Sequence, residues 1–373
     1  MKKHLLLFTF IIIVVLGYSQ SRTFTGKPQY QILTKRAGTY LGTTTVELFP
    51  AIAPLHVANF DSLVGTQFYD STAFHRVIPG FMIQGGDPNS RSGPTSTWGM
   101  GDPSQPTVNA EFTAAKHLRG ILSAARDTSI NSANSQFFIC VAAAPWLNGL
   151  YSVYGRVTSG MNIVDTIVNS PRDSVDNPLQ KIEMFVTYIG SNDTLATAPT
   201  LNMPASGSAN GSSARSLKWF AQTDGIIYHV EVSTDSLFST FYKNLDVGTN
   251  TYTVSGLTMS TRYYWRVKTN NGGSISAYSP VWNFLVSGVG VESYENENTI
   301  TVSPNPSNGQ FLFSNLEKET MIEIFDVVGN LIYKEISKGE TQAIDLSEKA
   351  KGIYFYCISN KNKKIQQGKI IRD

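Results

Sequence analysis

Arg76 and Gln84 lie in the run Phe74-His75-Arg76-Val77-Ile78-Pro79-Gly80-Phe81-Met82-Ile83-Gln84-Gly85-Gly86-Asp87-Pro88, where polar side chains alternate with large apolar ones. Read as two short strands joined at Pro79-Gly80, the run changes face at every residue, which sets a guanidinium and an amide among groups such as Phe81 and Met82. Such residues can line a half-apolar pocket. A pocket of that kind suits a small apolar ring attached to a peptide bond.

Other chemistry finds little support. The five histidines, His4, His56, His75, His117 and His229, have no metal-ligand spacing with one another or with cysteine, so no metal and no cofactor are expected. Cys140 and Cys357 each lie in an apolar run and in different modules, and read as buried free thiols.

The elements that must position the pocket are mostly strands. Phe74 to Ile78, Phe81 to Gln84, Ile121 to Ala124, Phe137 to Val141 and Tyr151 to Val157 read as short strands, with Thr45 to Phe49 preceding them. A helix from Ala53 to Val64 has Pro54 near its first position, Val57, Phe60, Leu63 and Val64 on one face, and Gly65 at its end. Ile163, Val164, Ile167 and Val168 repeat that spacing in a second helix. Strands on both sides of a helix in the chain suggest a barrel capped by helices, in a mainly β, multidomain protein.

At 373 residues the chain predicts two or three domains. Its 16% charged content is below the ~25% of ordinary soluble domains. A net charge of +2 with interleaved signs argues against a nucleic-acid footprint. Lys2-Lys3, the apolar run from Leu5 to Leu16 and the small residues of Gly17-Tyr18-Ser19 form a secretory signal, with cleavage expected before Gln20. The apolar run is shorter than the ~20 residues that span a bilayer, so no stable membrane span is expected and a retained anchor is the lesser alternative.

Several motifs in one order carry a resemblance: the opening run, then Gly120-Ile121-Leu122-Ser123, Ser135-Gln136-Phe137-Phe138-Ile139, Trp146-Leu147-Asn148-Gly149 and Tyr154-Gly155-Arg156-Val157. This module resembles cyclophilin-type peptidyl-prolyl cis-trans isomerases. The resemblance implies a closed eight-stranded β-barrel capped by two helices, and proline-containing polypeptides as partners. It implies Arg76 as the catalytic donor to the proline nitrogen as that atom pyramidalises. Gln84 and Gln136 fall at substrate-contacting positions, Phe81, Met82, Phe138 and Leu147 at the proline socket, and Ala125, Arg126 and Tyr151 at the pocket rim. Tyr151 replaces a histidine and Arg126 an asparagine of the best-known members, which implies altered sequence preference. Trp146 matches the position associated with cyclosporin, leaving that drug as a candidate ligand. The segment from Asn89 to Val108 replaces a glycine-rich loop and is expected to border the groove, with Trp98 as a contact or a loop-packing residue.

Beyond a polar linker, Leu217 to Phe220, Ile227 to Ser233, Thr251 to Val254, Tyr263 to Thr269 and Val281 to Val286 predict a small β-sandwich. Its run Leu257-Thr258-Met259-Ser260-Thr261-Arg262-Tyr263 resembles the tyrosine corner of fibronectin type III domains, with Trp219 and Trp265 as core residues. Ser303-Pro304-Asn305-Pro306, Ile324 to Gly329, Lys351 to Phe355 and the ending Lys369-Ile370-Ile371-Arg372-Asp373 resemble the C-terminal sorting domain of the type IX secretion system of Bacteroidetes-type bacteria. The expected layout is a signal peptide over 1–19, the isomerase domain over 27–191, a linker over 192–199, the fibronectin type III-like domain over 200–287, a linker over 288–297 and the sorting domain over 298–373. Together these imply an isomerase that is secreted or held at the cell surface, with type IX machinery as a partner. The alternatives are a surface binding or adhesion protein that holds proline peptides without turnover, and a sandwich that binds carbohydrate or matrix.

Overall fold

The structure is a computed structural model that describes residues 22–287, 300–360 and 363–373. The expected signal peptide and the linker over 288–297 lie outside the described residues. Among the described residues no helix is long and apolar enough to cross a membrane.

Eight strands close into a barrel: β1 (Lys27–Arg36), β2 (Thr39–Leu48), β3 (Thr72–Ile78), β4 (Met82–Asp87), β5 (Ile121–Ala124), β6 (Phe137–Cys140), β7 (Val153–Ser159) and β8 (Ile182–Asn192). Their order around the barrel is β1-β2-β7-β5-β6-β4-β3-β8, and β8 pairs back onto β1 along its whole length, leaving no open sheet edge. The interior is filled by alternate residues, among them Tyr30, Ile32, Val46, Leu48, Phe74, Val77, Ile83, Leu122, Phe137 and Ile139.

Two helices cap the barrel, α1 (Pro54–Gly65) and α2 (Met161–Val168). α1 buries Val57, Phe60 and Val64 as its spacing predicts, while Leu63 is only half-buried. No side chain next to its start caps it; instead the Glu111 carboxylate, far along the chain, accepts from the Leu55 and His56 amides at 3.0 Å each.

A second layered structure follows. One sheet holds β10 (Ser208–Asn210), β12 (Ile227–Ser233), β13 (Lys243–Val247), β15 (Thr261–Asn270) and β16 (Trp282–Val286); the facing sheet holds β9 (Leu201–Met203), β11 (Ala214–Trp219) and β14 (Thr251–Ser255). Trp219 and Trp265 are buried in its core, as the sequence predicts. The Tyr263 hydroxyl accepts from the Thr258 amide at 3.0 Å.

The tail forms its own compact unit, a three-stranded and a four-stranded antiparallel sheet over a core that includes Phe311, Phe313, Ile322, Ile324, Tyr354 and Ile358. Cys140 and Cys357 are both free, and only Cys140 is fully buried. Cys357 is half-buried because it alternates with the buried Tyr356 and Ile358 along its strand.

Candidate active site

Strand register, rather than a deep cleft, assembles the site. Arg76 on β3 lies opposite Gln84 on β4, Gln84 opposite Phe138 on β6, and Phe138 opposite Ser123 on β5. This row crosses the outer wall of the barrel. On β6 the alternation is strict: Phe137 and Ile139 enter the barrel core, while Phe138 and Cys140 belong to a separate outer cluster.

On β3 the alternation is broken, and the break serves the site. Phe74 pairs with Gly85 and Arg76 with Gln84, so His75 is an extra residue that makes a β-bulge. Without it Phe74 and Arg76 would point to one face. With it Phe74 joins the barrel core and Arg76 is exposed beside the outer cluster. The Arg76 guanidinium makes no hydrogen bond or ion pair among the described residues, which leaves its donors available. His75 is buried, and neither ring nitrogen makes a hydrogen bond of normal geometry among the described residues. Burial pushes its imidazole down to about 4, with Arg76 adding to the effect and Asp87 opposing it.

The outer cluster comprises Met82, Phe138, Cys140, Ala144 and Leu147, with Ile78, Phe81, Ala125 and Tyr151 packed against them. It gathers the expected apolar residues in one place. Trp146, 58% exposed, tilts against Phe81 at a centroid distance of 5.5 Å. Tyr151 meets Phe138 edge-on at 5.8 Å, and the Arg126 guanidinium lies 4.5 Å above the Tyr151 ring, its position held by the Leu150 carbonyl. The two departures noted in the sequence therefore form one stacked pair. The Cys140 thiol, pushed up to about 12 by burial, is an apolar filler rather than a nucleophile.

Sequence reasoning missed the floor of this cluster. His117, buried in a segment without regular structure, stacks on Phe138 with centroids 6.0 Å apart and planes within 14°. Its Nε2 lies 3.1 Å from Ser123 Oγ, and its Nδ1 and backbone amide lie 3.2 and 2.8 Å from Asn148 Oδ1. Burial holds this imidazole below the usual histidine range. A lone histidine before a strand gives no periodic signal, and only the stacking exposes its place.

Beside the row lies a groove of about 400 Å³ lined by Gln84 of the row and by Ala125, Arg126 and Gln136. Gln84 donates to Gln136 Oε1 at 3.0 Å, and Gln136 donates in turn to the Gly99 carbonyl at 3.2 Å. The groove continues along Gly99 to Thr107, inside the segment expected to border it. Asp102 and Asp127, both kept below the usual carboxylate range by hydrogen bonds from nearby serines, give it negative charge. Trp98 packs within its own loop, donating to the Gly93 carbonyl at 3.0 Å.

Residues 31–188 match the model for cyclophilin type peptidyl-prolyl cis-trans isomerase/CLD. A peptidyl-prolyl cis-trans isomerase of Arabidopsis thaliana is 40% identical over 157 residues, which are 41% of this chain and 94% of the plant protein. The chain belongs to the cyclophilin-type peptidyl-prolyl cis-trans isomerase family. A probable peptidyl-prolyl cis-trans isomerase of Brucella suis is 45% identical over 130 residues, and the match spans 34% of this cyclophilin and 66% of the Brucella protein. A solved cyclophilin structure from Cryptosporidium parvum aligns over 99% of its length and 44% of this chain, at 30% identity and a TM-score of 0.39. Residues 301–372 match the model for a secretion system C-terminal sorting domain.

Proposed function

We propose that this cyclophilin accelerates rotation about Xaa-Pro bonds in exported or surface proteins. The uncatalysed barrier of ~18 to ~20 kcal/mol comes from delocalisation of the nitrogen lone pair into the carbonyl. As the bond twists, that nitrogen pyramidalises and its lone pair becomes an acceptor that the planar ground state lacks. The Arg76 guanidinium donates to it, an interaction made in the twisted state and not in the planar one. Phe81, Met82, Phe138 and Leu147 hold the ring, Gln84 and Gln136 bind substrate backbone, and Ala125, Arg126, Tyr151 and Trp146 form the rim. No step needs a cofactor.

One observation carries this reading. The register row places an exposed guanidinium without a partner among the described residues beside a closed apolar cluster on the same wall. Arg76→Ala is expected to lower kcat/KM on a proline peptide about 10²-fold, the scale for losing one donor aimed at the transition state, with an unchanged circular dichroism spectrum. Full activity in that variant would sink the assignment. Cyclosporin inhibition, measured in the same assay, tests Trp146 as a rim residue.

We further read the second module as a fibronectin type III-like domain, supported by its two facing sheets and by the Tyr263 hydroxyl at the Thr258 amide. As part of this reading we keep the limits that the sequence suggests, 27–191, 200–287 and 298–373, with linkers between them and a signal peptide over 1–19. The sorting-domain match supports export by the type IX route to the cell surface or beyond.

A further inference from the structure

The barrel and the sandwich are joined by far more than the chain between them. Lys27 at the start of β1 has no exposed side-chain surface, and its Nζ lies 3.9 Å from Glu47 of the barrel and 3.4 Å from Asp224 of the sandwich. Asn271 donates to Asp224 at 2.8 Å and to the Thr194 carbonyl at 2.9 Å, and Asn270 donates to the Ala51 carbonyl at 3.0 Å. The Ala51 amide donates to the Gly272 carbonyl at 2.8 Å. Ile227 of β12 is buried in the barrel's own apolar core.

Three sandwich glycines allow this approach, because a Cβ on any of them would overlap the barrel. One on Gly272 would lie 2.3 Å from the Phe49 ring, one on Gly273 2.8 Å from Lys27 Cγ, and one on Gly248 2.2 Å from the Ala114 carbonyl oxygen and 2.9 Å from Lys116 Cγ. The last contact touches the site. Lys116 immediately precedes His117, whose ring is the floor beneath Phe138 and whose carbonyl accepts from the Ala144 amide of the same cluster at 2.8 Å. Residues 109–118 have no strand or helix of their own, so their place is set by what packs on them. Glu111 ties one end to α1 and to Ser152, Ala115 is buried in the barrel core, and the Gly248 turn closes on the outside.

We propose that the sandwich is a fixed part of the isomerase site: by bearing on Ala114 and Lys116 it positions His117, and through His117 the Phe138 wall of the proline socket. His117 and Gly248 are positioning residues, not catalytic ones. The claim rests on the isomerase reading above, and the test separates the two.

The test uses the full chain with two kinds of variant. Gly248→Val presses on the segment, while Asn270→Ala combined with Asn271→Ala cuts the hydrogen bonds to Ala51, Thr194 and Asp224. Both are expected to move the His117 imidazole resonance in NMR and to lower kcat/KM on a proline peptide about tenfold, since misplacement by about an ångström is enough to cost that much. The double variant keeps the test informative where Gly248→Val does not fold. An unmoved His117 resonance together with kcat/KM within twofold of the parent would overturn the proposal and make the sandwich a passenger. If the unmodified protein does not turn over peptide at all, the isomerase reading fails, and the His117 resonance alone still decides whether the sandwich sets the floor.

Discussion

Acid should soften this protein through its buried histidines, and most of all through His75. In the folded state its imidazole is pushed down to about 4 by burial, whereas in the unfolded chain it titrates near 6.5. The folded pKa lies below the unfolded one, so the neutral form is the one folding favours. This contribution is full above about pH 6.5. As pH falls below that value the unfolded chain takes up a proton the folded chain refuses, and stability drops until the folded pKa near 4 is passed. Each unit of displacement corresponds to about 1.4 kcal/mol, which makes the whole loss on the order of 3 kcal/mol. That is a large share of a total stability of about 5 to about 15 kcal/mol. Urea unfolding followed by tryptophan fluorescence at pH 7, 6, 5 and 4.5, on the parent and on His75→Leu, isolates the term. The parent should lose about 2 to about 3 kcal/mol more than the variant across that range. Parallel pH profiles for the two proteins would refute the argument, since the variant has no imidazole to titrate at that position.

Three further outcomes can be measured. Lys27→Ala should destabilise by about 3 kcal/mol in denaturant unfolding, at the low end for breaking a buried charge cluster, because Arg156 and Asn192 still hold Glu47 at 2.7 and 3.0 Å. Tyr263→Phe should lower the stability of the sandwich by about 1 kcal/mol in the same measurement, through loss of the bond from the Thr258 amide. Mass spectrometry of the mature surface protein should find a terminus upstream of the sorting domain, and an intact Asp373 would count against the proposed route.

Much of the site could be read in the chain because its chemistry is local. Arg76, Phe81, Met82 and Gln84 fall within one hairpin, whereas Phe138 sits in a continuously apolar run and only the family resemblance assigns it to the socket. The bulge at His75 could not be read that way. Strict period-two counting puts Phe74 and Arg76 on one face, and only the pairing with Gly85 and Gln84 shows that an extra residue separates them. β1 and β8 went unread for a related reason. They pair with each other from opposite ends of the module, and local periodicity carries no information about so distant a partner. Around 192–199 the polar composition reads as a tether, yet the Thr194 carbonyl accepts from Asn271 and the Ala196 amide donates to Ser274 Oγ at 2.8 Å. Gly248, Gly272 and Gly273 look like ordinary turn glycines in the sequence. Their use, letting two backbones touch, exists only in three dimensions.

The outward face of the register row bears on which chains the enzyme can serve. A closed barrel invites the picture of a lumen that a substrate must enter by one end. Here the lumen is solid with side chains, and the reacting bond would be met on the external wall. A polypeptide laid along that wall keeps both of its ends free. On the proposed reading, a proline in the middle of a long client is as reachable as one near a terminus, and the client need not be threaded through a lumen to be served.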